Sequence, residues 1–276
     1  NYAFYYCDGF TEVYSSAVTA PTLGTEAFAN INENAILYHP VSSEPSYEEK
    51  GWFEYFPQHV GFDGKCGDNL YWKVSDNTLT IFGTGAMYDY GSSNQAPWRS
   101  LNTAPTSLVL EEGITHIGNY AFYLCSGFKG SLTIPNSVTS IGNSAFHNCK
   151  GFTGSLTIGN SVTTIGNAAF GFCTGFTGSL TIGDSITTIG YEAFADCSGF
   201  TGSLTIPNSV TTIGNKAFYN CYGFKGSLTI GDSVTSIGNS AFQYCSSFNG
   251  SLTIGNSVTS IGNSAFYYCK GFTGSL

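Results

Sequence analysis

Cysteines stand at positions 125, 149, 173, 197, 221, 245 and 269, each 24 residues after the last. Phe122 through Phe266, Phe128 through Phe272 and Ile117 through Ile261 keep the same step. The unit reads G-S-L-T-I-[PG]-[ND]-S-[VI]-T-[ST]-I-G-x-x-A-F-x-x-C-x-[GS]-F-x. A period of this length commits the chain to equivalent coils stacked in a row, each a supersecondary unit that cannot close its own core.

The pattern inside one unit predicts its local structure. In Ser155-Leu156-Thr157-Ile158, Leu and Ile alternate with Thr, so the strand puts Leu and Ile inward and Thr outward. Gly159, or Pro207 at the same place in another unit, ends the strand. Val162 and Ile165 point inward across a second short extended stretch, which Gly166 breaks. Ala169, Phe170, Cys173 and Phe176 are spaced for a short helical or 3-10 turn. The large apolar side chains of a lone coil do not offset the cost of ordering it. Stacking adds strand hydrogen bonds and a shared core, so only the array folds.

Composition fits such a chain. Of 276 residues, 35 are Gly, 22 Phe and 18 Tyr, and only 10% are charged, which disfavours an ordinary helical protein. The net charge of −9 is unevenly spread: residues 1–113 hold 14 acids and 4 bases, residues 114–276 hold 4 acids and 5 lysines. Neither part offers the basic stripe that nucleic-acid binding needs. No apolar run is long enough to span a membrane, and no signal peptide is visible.

The run L-T-I-P-N-S-V-T-S-I-G-N-S-A-F-x-N-C at 132–149 closely resembles the BspA-like leucine-rich repeats, and the likeness recurs through residues 114–276. It implies a leucine-rich-repeat solenoid, a β-rich, α/β-type right-handed superhelix of 24-residue coils, with seven coils in 114–276 and the last incomplete. The additional G-S before the strand departs from the commoner form, so the corner is where a difference is expected. Asn1-Tyr-Ala-Phe-Tyr-Tyr-Cys7 aligns with Asn263-Ser-Ala-Phe-Tyr-Tyr-Cys269. Residues 1–60 therefore resemble a terminal coil and C-terminal cap of a preceding array. Residues 61–113 resemble a module that starts the next one, with a β-hairpin as lid. Leu70, Trp72 and Val74 alternate on one side of Ser75-Asp76-Asn77, Leu79 and Ile81 on the other, and Tyr90 and Trp98 add bulk. The expectation is a piece of a longer, multi-array protein whose ends associate with one another or are covered by neighbours.

Nine cysteines invite a disulfide or metal reading. Stacked coils hold equivalent Cβ atoms near 4.8 Å, wider than the roughly 3.8 Å of a disulfide, so a ladder of free buried thiols is expected. Cys66, outside that ladder, reads as a packing residue, and no C-x-x-C or paired His suggests zinc. His39, His59, His116 and His147 show no fixed spacing to one another or to a carboxylate, and His147 is expected to face solvent. Serines recur with the coil and mark structure rather than a nucleophile. Gly83-Thr-Gly85 reads as a bend, since its spacing is not that of a phosphate loop. Asn249-Gly-Ser251 is the only N-x-S/T match. No cofactor is implied.

Two surfaces remain as candidates for a partner. Thr133, Thr157, Thr181, Thr205, Thr229 and Thr253 should line one sheet face, either because Thr suits an exposed strand or because the flat polar face recognises an extended partner. Tyr123, Tyr219, Tyr244 and Tyr267, with Tyr222 and Tyr268, fall where units vary, and Tyr is a common contact residue at interfaces. The family resemblance implies extracellular display and attachment to host or partner-cell surface or matrix proteins. A spacer that projects other domains is the alternative. A third reading is a glycan-active enzyme using Trp52, Trp72 and Trp98.

Overall fold

A computed structural model describes residues 1–91, 93–101 and 104–273. The chain divides into two units, one of residues 1–65 with 71–73, the other of residues 66–70 with 74–276.

In the first unit, β1 (Glu12–Tyr14), β2 (Ile36–Pro40) and β3 (Gln58–Phe62) form a parallel sheet in that order. Helices α1 (Glu44–Glu49) and α2 (Trp52–Tyr55) lie between β2 and β3 in sequence. They supply Tyr47 and Trp52 to a core shared with Phe28, Leu37 and Phe56. The opening segment behaves as a repeat. The N–H groups of Tyr2, Phe4 and Tyr6 donate to Thr25, Ala27 and Ala29, and Phe4 stacks on Phe28 at 5.0 Å. The expected alternation of Leu70, Trp72 and Val74 is not the burial found, because Tyr71 is also buried and Val74 only half-buried. The Tyr71 ring packs between Tyr14 and Phe62, at 4.9 and 4.6 Å, which accounts for its burial.

The second unit is the array and its start. Strands Leu70–Ser75 and Thr78–Gly83 are joined through Asp76 and Asn77, both left-handed at φ 49 and 60, as a two-residue hairpin turn requires. Residues 78–81 then pair in parallel with 107–110. A 3-10 turn at Pro97–Ser100 places Trp98 on Phe122, 5.3 Å between ring centroids, and its indole donates to the Ala121 carbonyl. Trp98 thereby covers the first ring of the array's aromatic column, and Tyr90 meets it edge-on at 5.7 Å.

Each following coil contributes two short strands. The second strands, from Gly85–Ala86 through Ile114–Ile117 to Ser260–Ile261, form one continuous eight-stranded parallel sheet. The first strands form two sheets of three, Leu132–Ile134 to Leu180–Thr181 and Leu204–Ile206 to Leu252–Ile254. The register is strictly coil on coil: Leu132, Leu156 and Leu180 pair with one another, as do Ile141, Ile165 and Ile189.

Inside, identical side chains form columns. Phe146, Phe170, Phe194, Phe218 and Phe242 stack nearly parallel at 5.1–5.3 Å, and Phe152, Phe176, Phe200 and Phe224 at 4.9–5.7 Å. Leu156, Val162, Ile165, Ala169, Phe170, Cys173 and Phe176 are all completely buried.

The segment where spacing predicts a short helical or 3-10 turn is built of successive i→i+3 turns, and no helix forms there among the described residues of 114–273. In one coil, Ala145, His147 and Cys149 donate to Gly142, Ser144 and Phe146. The residues between them, Ser144, Phe146 and Asn148, donate instead to the next coil, at Asn167, Ala169 and Gly171. Ser144 and Asn148 are left-handed, at φ 51 and 64, which turns alternate N–H groups outward along the stack. A helix would direct these donors back into its own coil and leave neighbouring coils unjoined.

If the aromatic columns carry the core, Phe194→Ala should lower unfolding free energy by about 3–5 kcal/mol. Urea unfolding would measure it, and a loss below about 1 kcal/mol would contradict the assignment.

Candidate functional site

The six threonines lie on one face, between buried Leu and Ile rows. Thr133, Thr157, Thr181, Thr205 and Thr253 are exposed, and Thr229 is half-buried. Thr133, Thr157 and Thr181 are direct partners across one sheet, and Thr205, Thr229 and Thr253 across the other. The serines beside them are structural: Ser131 Oγ accepts from the Ser155 N–H, and Ser155 Oγ from Ser179, both at 3.1 Å. Such bonds tie the strands of Ser155, Ser179, Ser227 and Ser251 to their predecessors.

The tyrosine edge is more varied than expected. Tyr222, Tyr267 and Tyr268 are exposed at 47–52%, whereas Tyr123, Tyr219 and Tyr244 are half-buried because neighbouring coils cover one side of each ring. Tyr244 is the hub of a cluster, with Tyr219 at 5.6 Å, Tyr267 at 5.9 Å and Tyr268 at 5.7 Å. Lys270 Nζ lies 3.7 Å from the centre of the Tyr268 ring. A second cluster sits at the start of the array. Tyr120 meets Tyr123 edge-on at 5.4 Å, and Tyr123 stacks against His147. The chain's single arginine, Arg99, lies over the Tyr123 ring at 5.6 Å. Gln95, Arg99, Tyr120, Tyr123 and Leu124 border a cavity of about 500 Å³. Sequence reasoning missed Arg99; its signal was the chain's single arginine, beside Trp98.

His147 does not face solvent freely. Its ring lies between Tyr123 and Phe172, Nδ1 is buried with no partner among the described residues, and burial lowers its pKa. The first unit also joins two histidines that no spacing connects. Buried His39 shares a 3.2 Å hydrogen bond between its Nε2 and Nδ1 of His59, and its Nδ1 lies 3.1 Å from the Pro40 carbonyl oxygen. Trp52 and Trp98 are buried, with indole N–H groups donating to the Pro21 and Ala121 carbonyls, and Trp72 is buried too.

The cysteines form the expected column of free thiols. From Cys149 onward each ladder thiol reaches a carbonyl of the preceding coil: Cys149 to Phe122 at 2.9 Å, Cys173 to Phe146 and Cys197 to Phe170 at 3.0 Å, and Cys221, Cys245 and Cys269 likewise. Burial raises the pKa of Cys149, Cys197, Cys221 and Cys245. It pushes Cys66 and Cys125 up to about 12, and Cys269 up to about 11. These are poor nucleophiles, because the thiolate is the reactive form. Among the described residues no group of three or more His, Cys, Asp and Glu could hold a metal ion, and no helix is long and apolar enough to cross a membrane.

Stacked 24-residue coils, two parallel ladders and inward Leu, Ile, Phe and Cys columns define a leucine-rich-repeat solenoid. The model of the BspA-type leucine-rich repeat region, in six copies, matches residues 101–225 and 176–273, and the chain belongs to that family. Three solved structures share the fold. A leucine-rich repeat protein of Eubacterium ventriosum aligns with TM-score 0.55 and 24% identity, over 73% of this chain and 62% of that one. One from T. pallidum gives 0.51 and 22%, over 76% and 91%. One from Bacteroides ovatus gives 0.51 and 24%, over 74% and 50%. The chain thus spans less than two thirds of the Eubacterium and Bacteroides structures. No curated protein matches it significantly.

Because the buried Cys66 and Cys125 thiols hold their protons to higher pH than unfolded ones, their stabilising effect is intact below the ordinary thiol value of 9.0 and lost as pH rises towards about 12. The urea midpoint should fall across that window. A slope unchanged by Cys66→Ala and Cys125→Ala would remove these thiols as its source.

Proposed function

We propose that this chain is a non-enzymatic, surface-displayed repeat module that adheres to host or partner-cell surface or matrix proteins. The observation that carries this reading is the aromatic edge: Tyr219, Tyr244, Tyr267 and Tyr268 at one end and Arg99, Tyr120 and Tyr123 at the other, held on rigid turns. Tyr and Arg give large contact area at low entropic cost and dominate binding energy at protein interfaces. These positions change from coil to coil while the core does not, as a recognition surface on a fixed scaffold requires. Family membership supports surface display. The threonine face is a second contact area on the same reading.

The spacer alternative draws support from the uniformity of the columns, and the two readings separate by experiment. A Tyr219→Ser, Tyr244→Ser, Tyr267→Ser variant should keep its fold by circular dichroism and lose at least about tenfold in affinity for captured matrix or cell-surface proteins. Equal binding by this variant would overturn the aromatic-edge assignment. Unchanged function after deletion of the two coils that hold Tyr219 and Tyr244 would favour a spacer.

A further inference from the structure

The threonine face is interrupted at one place, and a single residue accounts for it. Each coil presses the residue after its first strand against the carbonyl of the coil before. A Cβ on Gly159 would lie 2.4 Å from the Pro135 carbonyl oxygen, one on Gly183 2.3 Å from that of Gly159, one on Gly231 2.5 Å from that of Pro207 and one on Gly255 2.3 Å from that of Gly231. These approaches leave no room for a side chain. Pro207 has one, and it must stack on the coil of Gly183.

The bonds that close every other junction on this face are missing here. The N–H groups of Leu156, Leu204 and Leu228 donate to Ser179, Ser227 and Ser251 of the next coil, but none joins Leu180 to Ser203. Ser155, Ser179, Ser227 and Ser251 each donate an N–H to the preceding serine hydroxyl, and Ser203 does not. At the corner, Asn160 Oδ1 accepts from the Asp184 N–H and Asp232 Oδ1 from Asn256, while no such bond links Asp184 Oδ1 with Asn208. Ser209 Oγ, two residues past Pro207, is buried with no partner among the described residues. The coils stay joined elsewhere: Thr188 still pairs with Thr212, and Phe176 still stacks on Phe200 at 4.9 Å. The gap therefore opens on the threonine face alone.

It is a groove open to solvent, with a volume of about 250 Å³. Leu180 and Ile182, each 6% exposed against 0–1% for Leu156 and Ile158, form an apolar floor. Thr181, Ser203 and Thr205 bring hydroxyls to the rim, and the Asp184 carboxylate lies among the lining with no hydrogen-bond or ion-pair partner among the described residues. Three of the four acids in residues 114–276, Asp184, Glu192 and Asp196, belong to this coil, which has no lysine.

We propose that this gap is a binding slot for an arginine or lysine side chain of an extended polypeptide lying along the threonine face. The methylene stem packs on Leu180 and Ile182, the charged head meets Asp184, and the hydroxyls take its remaining N–H groups. The slot deepens the protein-binding reading and rests on it, supplying a fixed address in a repetitive surface.

The test is amide chemical-shift mapping on the chain with two probes: a blocked, extended glycine–serine peptide carrying one arginine, and the same peptide with glutamine. Expected are saturable shifts at Thr181, Asp184 and Thr205 with the arginine peptide, weakened about tenfold by the glutamine peptide or by Asp184→Asn. Asp232→Asn should leave binding unchanged, because Asp232 serves the Asn256 N–H. Pro207→Gly should close the gap and abolish the shifts with the carboxylate still present. Absence of shifts in 180–207, equal binding of both peptides, or binding that survives Pro207→Gly would each overturn the slot. Loss of slot binding with protein capture intact would sink this inference alone, and loss of capture in the tyrosine variant would sink the broader reading.

Discussion

At the corners held by Gly159, Gly183, Gly231 and Gly255, the backbone of one coil touches the backbone of the coil before with room for a hydrogen and no more. The 2.3–2.5 Å that would separate a Cβ from the carbonyl oxygen beneath it sets the spacing of the stack on that side. A second glycine row does the same after the second strands: a Cβ on Gly190 would lie 2.7 Å from the Gly166 carbonyl carbon. Between these two contacts the coils are held at strand separation, and equivalent side chains meet their own kind. Aromatic rings then stack, thiols reach carbonyls one coil back, and Thr139, Thr163 and Thr187 interlock as Thr163 and Thr187 hydroxyls donate to the previous Thr carbonyl.

The same spacing explains why strained backbone is tolerated. Residues such as Glu192, Asp196, Lys216 and Asn220 adopt left-handed conformations at φ 53–58, which costs each of them energy. In return, N–H groups that a helix would turn inward bond to the next coil, and an interior polar group left without a partner would cost more. Strain at a single residue is thus sustained by a ladder that exists only because the neighbouring coil is present. A coil in isolation would have the strain and lack the ladder, the physical content of the statement that repeats fold as arrays.

The columns were legible in the sequence because period and alternation together fix both which residues are inward and what they face. Leu156, Ile158, Phe170 and Cys173 lie where the pattern puts them. The turn was not, since Ala169, Phe170 and Cys173 have the same spacing in a helix and in consecutive turns, and only the destination of alternate N–H groups distinguishes them. Residues outside the period gave weaker signals. His39 and His59 meet because β2 and β3 pair, with Leu37 opposite His59, a register that no repeat announces. Tyr123 and His147 looked like surface positions, and their half-burial comes from stacking on each other. Pro207 stood in plain view as one of two permitted letters in the consensus. Its consequence was invisible until the stacking distance was known: Pro135 occupies the same position in the first coil of this row, where no such glycine corner lies beneath it.

A perfect array has a weakness as a recognition surface. Every step presents the same threonine, the same serine and the same spacing, so a partner lying along it finds many equivalent registers and no preferred one. Specificity is a difference between affinities, and identical sites provide none. The exchange of glycine for proline at one corner breaks that degeneracy without disturbing the core, because the continuous second sheet and the aromatic columns hold the coils together behind it. The neighbouring coil differs from the others on its opposite edge as well, where Tyr191 replaces the asparagine whose side chain caps the next N–H elsewhere, as Asn143 caps Asn167. Tyr191 instead donates its hydroxyl to Glu192, which also holds Lys216. On the protein-binding reading proposed above, the irregular coil is where an extended partner would find its register, and the regular coils on either side would supply length.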